Sequence, residues 1–99
     1  MDIADLQRLV RDTYGERDRR RGLPRTYAWF VEEVGELSRA LFRGDAGQRR
    51  EEFADVLAWL VSLADLADVP LDETVSARYA HGCPKCAARR CTCPDPAGR

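Results

Sequence analysis

A chain of 99 residues with 44% apolar and 33% charged side chains is too short for more than one small domain and too apolar for a disordered segment. With 16 basic against 17 acidic residues the formal net charge is −1, which excludes a global pull toward nucleic acid or an anionic membrane. A core of this size is marginal alone, so self-association is expected.

The N-terminus, Met1-Asp2-Ile3-Ala4-Asp5, is acidic where a secretory signal is basic, and no apolar core segment follows it. The longest largely apolar run, Val56 to Leu66, is too short to span a bilayer. These features predict a cytoplasmic protein with no membrane partner and with nucleic acid a poor candidate ligand. A first helix is expected from its cap at Asp2 to about Tyr14, with Ile3, Leu6, Leu9 and Val10 at helical spacing. Gly15 ends that pattern. Glu16 to Gly22 carries no apolar anchor and reads as a solvated loop or frayed helix end. Its functional alternative is a mobile basic loop that reaches a polyphosphate through arginine.

Pro24 suits the first turn of a second helix running to about Phe42. Trp29, Phe30, Leu37, Ala40 and Leu41 form its apolar stripe. Glu33 falls inside that stripe, Glu36 at its edge and Glu32 slightly outside. Gly35 permits close approach by another backbone or by a ligand. A turn at Gly44-Asp45-Ala46-Gly47 makes the third helix, Gln48 to about Asp68, an antiparallel neighbour. Its apolar face, from Phe53 to Ala67, is broad enough to touch both its own chain and a partner subunit. Glu52 lies within this face and Asp55 at its edge. Pro70 and Asp72 open a short fourth helix to about Ala80, with Arg78 near its end. Nothing reads as a strand. The fold expected is all-α, a small four-helix bundle over residues 1–80 that dimerisation completes, with a Cys-rich tail over residues 81–99.

Glu33/Glu36 and Glu52/Asp55 each place two carboxylates three residues apart, on one side of a helix and against apolar neighbours. Buried carboxylates need a positive partner. Facing pairs offer four oxygen ligands to a hard cation, and magnesium suits them because it keeps waters and shares its shell with phosphates. A di-iron bundle needs Glu-x-x-His on paired helices. The single histidine, His81, lies outside both helices, which excludes it.

Glu32-Glu33-x-x-Glu36, a fifteen-residue spacer and Glu52-x-x-Asp55 resemble the EExxE…ExxD signature of the MazG-type all-α nucleotide pyrophosphohydrolases. The likeness runs from about Tyr27 to Tyr79 and includes the wording Val-Glu-Glu-Val-Gly-Glu-Leu. It implies magnesium held by Glu33, Glu36, Glu52 and Asp55, with manganese as a substitute, and cleavage of nucleoside triphosphates between the α- and β-phosphates. It further implies that Glu32 matches the leading acid and that Arg78 stands where relatives carry a basic residue, usually lysine. Phosphoryl transfer chiefly requires positioning and charge neutralisation. A carboxylate not fully engaged as a ligand, Glu32 or Glu36, is the catalytic candidate for accepting the proton of the attacking water. Trp29, Trp59 and Tyr27 sit at core-like helical spacing, and Trp29 and Trp59 join Arg78 as substrate-binding candidates.

All four cysteines fall between Cys83 and Cys93, so they cannot tie distant segments together. Cys83-x-x-Cys86 and Cys91-x-Cys93 give a candidate structural zinc site, with His81 as a substitute ligand. The function expected is a magnesium-dependent nucleoside triphosphate pyrophosphohydrolase, dimeric or tetrameric, serving nucleotide-pool cleaning. Two alternatives stand beside it. One is a zinc-knuckle adaptor that binds nucleic acid or protein through its basic loop and tail. The other is a phosphoribosyl-ATP pyrophosphohydrolase within the same superfamily.

Overall fold

The computed structural model describes residues 1–94, and the end of the expected tail, residues 95–99, lies outside the described residues. Its elements are four helices, α1 (Ile3–Arg21), α2 (Leu23–Arg43), α3 (Ala46–Leu66) and α4 (Leu71–Tyr79). Among the described residues there is no strand. None of the helices is long and apolar enough to cross a membrane.

The first helix is longer than its pattern suggests. Gly15 does not end it but is buried within it, and the charged stretch continues as helix to Arg21. The loop expected over Glu16 to Gly22 is therefore absent, and with it the mobile basic arm of the adaptor reading. Two forces extend the helix. Arginines in the last turn complement the negative end of the helix dipole. Asp18, 3% exposed, is held by Arg21 Nη1 at 2.9 Å, which gives an apparently unanchored segment a buried anchor. The helix stops at Gly22, whose φ of 85° an L side chain rarely adopts. That one residue is also the N-cap of α2, and its amide donates to the Asp18 carbonyl at 2.8 Å. Arg21 also reaches Thr26 Oγ1 at 3.3 Å, so one guanidinium ties both sides of the corner.

The α2–α3 connection is tighter than the four-residue turn expected. Ala46 and Gly47 already belong to α3, leaving only Gly44 and Asp45 between the helices. Asp45 caps α3 reciprocally: its side chain accepts from the Gln48 amide at 2.8 Å, and Gln48 Oε1 accepts from the Asp45 amide at 2.9 Å. Arg49 Nη1 donates to the Gly44 carbonyl at 2.7 Å and locks the turn. The two long helices therefore pack side by side along their length.

Helix α1 covers α3, pinned by Arg11 Nε to Asp65 Oδ1 at 2.7 Å. The buried Gln7 amide bridges to the connection before α4, donating to the Val69 carbonyl at 2.8 Å and accepting from the Leu71 amide at 2.9 Å. These bonds attach α4 to α1 instead of to the α2–α3 hairpin. Among the described residues the buried apolar side chains are only Val10, Ala40, Val61 and Ala64.

Candidate metal centre

The tight turn brings the carboxylates of α2 and α3 face to face. Glu33, Glu36 and Glu52 each offer an oxygen, and the three oxygens lie within 4.8 Å of one another. Glu33 and Glu52 are half-buried, and Oε2 of each is enclosed with no hydrogen-bond donor. Loss of solvent, and then the charges of Glu36, Glu52 and Asp55, raise the Glu33 carboxyl above its ordinary value. Glu52 is raised by the same loss of solvent and by Glu36, Asp55 and Glu51. Enclosed oxygens without donors in a cluster of one sign of charge fit a cation, and an all-oxygen donor set fits a hard one.

Asp55 stands apart from this trio. It follows Glu52 by three residues along α3, is exposed, and acts on Glu33 and Glu52 through its charge. Glu32, also exposed, precedes Glu36 by four residues, so the two share one side of α2.

Two cavities flank the acids, each carrying arginines. One, of about 280 Å³, is lined by Asp55, Trp59, Tyr14, Arg17, Arg21 and neighbours on α1 and α3. The other, also about 280 Å³, is lined by Glu36, Glu52, Arg39, Arg43 and residues of the turn. Both fall just below the usual range for ligand pockets, roughly 300–1,000 Å³. Trp29 stacks on Trp59 with ring centroids 6.2 Å apart and planes 17° apart. The Arg21 guanidinium lies 5.1 Å over the Trp59 ring, a cation–π contact. Tyr27 packs instead toward Phe30, at 6.4 Å between centroids.

Arg78 is not brought to the acids. It lies 6.0 Å over the Tyr79 ring and lines a third cavity with Lys85, Arg89 and two of the cysteines, on the α4 side of the molecule. The four cysteines converge there as free thiols, their sulfurs within 4.8 Å of one another. His81 is not among the converging ligands.

Arginines 17, 21, 39 and 43 are the residues that spacing of the acids did not reveal. A signal was present: Arg17/Arg21 and Arg39/Arg43 are each four apart, and Arg39 follows Glu36 by three. Recognising the first pair required α1 to continue through Gly15.

The family model for the MazG nucleotide pyrophosphohydrolase domain matches residues 22–90. The match covers α2, α3 and α4 and leaves α1, Cys91 and Cys93 outside it. No individual curated protein matches the chain.

Proposed function

The chain belongs to the MazG nucleotide pyrophosphohydrolase family, and from that premise we propose that it hydrolyses a nucleoside triphosphate between the α- and β-phosphates, releasing pyrophosphate and a monophosphate, in the cleaning of nucleotide pools. One observation carries the reading: Glu33 and Glu52 each enclose a carboxylate oxygen with no donor, beside Glu36. A fold does not retain such a cluster for its own stability, because like charges in a desolvated site repel.

Glu33, Glu36 and Glu52 would hold magnesium, or manganese in its place, with Asp55 completing the donor set. When bound, the cation neutralises phosphate charge and makes water more acidic. The protein's own residues do the rest. Glu32, exposed and one turn from Glu36, takes the proton of the attacking water. Arg17 and Arg21 on one side, and Arg39 and Arg43 on the other, neutralise phosphate oxygens on either side of the scissile bond. The Trp29–Trp59 stack offers an aromatic face to the base, and Trp29, 46% exposed, has room for it. Arg78, away from the acids within one chain, contributes to this site only across a subunit contact. Reaction and assembly belong to the soluble interior of the cell in this reading.

The test is purified protein with magnesium and a panel of nucleoside and deoxynucleoside triphosphates, scored separately for pyrophosphate and orthophosphate. Pyrophosphate with a matching monophosphate is expected from at least one of them, with activity falling at least about 100-fold in Glu36→Ala and in Glu52→Ala, as removal of a group that stabilises transition-state charge commonly does. Orthophosphate alone, or undiminished turnover in both variants, defeats the proposal.

A further inference from the structure

The cysteine cluster after α4 is separate from the carboxylate site, and the proposed hydrolysis does not use it. We propose that Cys83, Cys86, Cys91 and Cys93 close around one Zn²⁺ as a tetrahedral all-thiolate site that folds residues 82–93.

Geometry is the first reason. A zinc–thiolate bond of about 2.3 Å sets neighbouring sulfurs of a tetrahedron roughly 3.8 Å apart. Cys83 Sγ and Cys93 Sγ lie 3.7 Å apart, and all four sulfurs fall within 4.8 Å of one another. The cysteines are free thiols, and a disulfide needs a separation of about 2.05 Å. Four thiolates with no oxygen or histidine ligand select a soft, tetrahedral metal and leave no open position for catalysis.

The backbone is shaped to present these sulfurs. The Ala87 amide donates to the Cys83 carbonyl at 2.7 Å, and the Cys83 amide to the Ala88 carbonyl at 2.9 Å. The first cysteine pair is thereby folded into a closed turn. Gly82 makes that turn: its φ is 128°, and a Cβ there would lie 2.3 Å from the Ala88 carbonyl oxygen. Backbone amides also point at sulfur. The amide of Thr92 donates to Cys86 Sγ at 3.4 Å, and that of Cys93 to Cys91 Sγ at 3.4 Å. Amide donors of this kind stabilise sulfur as thiolate and orient it, the usual role of groups behind metal ligands.

What else could hold this segment is little. Among the described residues, those past Tyr79 form no helix and contribute no buried apolar side chain. A stretch without a core takes one conformation only when a metal or cross-link supplies the missing free energy. Charge agrees as well. Zinc with four thiolates carries a net charge of about −2, and Lys85 and Arg89 stand beside the site with Arg78 along the neighbouring cavity wall.

The test is protein purified from reducing buffer without chelator, analysed for zinc and iron by mass spectrometry and for thiols by a colorimetric titration. About one zinc per chain is expected, with the four thiols protected until a mercurial releases the metal. Glu33→Gln should keep its zinc, which separates this site from the carboxylates. Cys86→Ser combined with Cys91→Ser should lose zinc while the far-ultraviolet helical signal persists, because the helical body has its own contacts. Cobalt added to zinc-depleted protein should give the visible absorption of a tetrahedral thiolate complex. Reduced, folded protein that holds no zinc and protects no thiols after zinc is added overturns the proposal. So does stoichiometric iron in place of zinc, or zinc retained by the double cysteine variant. Loss of hydrolytic activity in Glu36→Ala with zinc unchanged would leave the two sites independent, as proposed.

Discussion

Glu33 is a residue whose charge is unfavourable for the fold and which the proposed chemistry would use. Its carboxyl is raised above the ordinary 4.5 by desolvation and by three neighbouring acids. Between that ordinary value and the raised one, the folded chain binds the proton more tightly than the unfolded chain does. The contribution of Glu33 to stability is therefore highest below the unfolded value, falls as pH rises through the folded one, and is absent above it. In magnesium-free buffer, Glu33→Gln should flatten this decline and raise the melting temperature near neutral pH by a few degrees, at about 4–8 °C per kcal/mol for a domain of this size. Magnesium should stabilise the parent protein at neutral pH, lose that effect in acid as the ligands protonate, and do little for the variant. Thermal melts against pH, with and without magnesium, check all three; a variant less stable than its parent without metal would contradict the repulsion. Glu33 and Glu52 were readable as half-buried because helical spacing set both inside apolar stripes, and Glu36, exposed at the stripe edge, joins them through its three-residue spacing from Glu33. Asp55, also read at a stripe edge, is exposed as Glu36 is but does not join the converging oxygens, since at such an edge a small rotation of the helix decides where a side chain reaches.

At the scale of elements, α1 is where pattern reading fell short. Local composition makes Gly15 a terminator and Glu16–Arg21 a solvated run, and burial against the neighbouring helices outweighs this. The buried Asp18 and the Arg21 bridge to Thr26 depend on a partner helix that no local window contains. By contrast, α2, α3 and α4 end close to where their caps and prolines put them, because capping chemistry is local. The extension of α1 carries Arg17 to the cavity lined by Asp55 and Trp59, with no ion pair to any described residue, where the proposed function uses it on phosphate. Arg17→Ala should raise KM for the triphosphate about tenfold, the worth of one charge-assisted hydrogen bond, while kcat changes little. Because alanine is the better helix former and the site is exposed, the melting temperature should hold or rise slightly. Steady-state kinetics beside a thermal melt distinguish this from damage to the fold.

At the scale of the whole molecule, the chain is more extended than a compact domain of its length. Its radius of gyration is 15.8 Å, against about 13 Å for a compact domain of 100 residues. Helix α3 leaves Phe53, Leu57 and Leu60 exposed at positions four and three apart, a continuous stripe. Helix α2 exposes Val31, Val34, Leu41 and Phe42, the last at 83%, and nothing approaches within 4 Å of where a Cβ would stand on Gly35. The breadth of the third helix's apolar face, read from sequence, predicts a partner, and these exposed side chains are the area available to one. We propose that a second copy covers this surface, as a dimer or a dimer of dimers. Light scattering at micromolar concentration should give at least twice the chain mass of 11.2 kDa. Phe53→Asp with Leu57→Asp should shift the protein toward monomer and lower its melting temperature steeply. In a monomer both positions face water, where substitutions usually change stability by no more than about 0.5 kcal/mol. A covered interface instead buries two charges in each copy, each at a cost of several kcal/mol. A parent protein that runs as a monomer, or a double aspartate variant as stable as its parent, rules out a partner on this face.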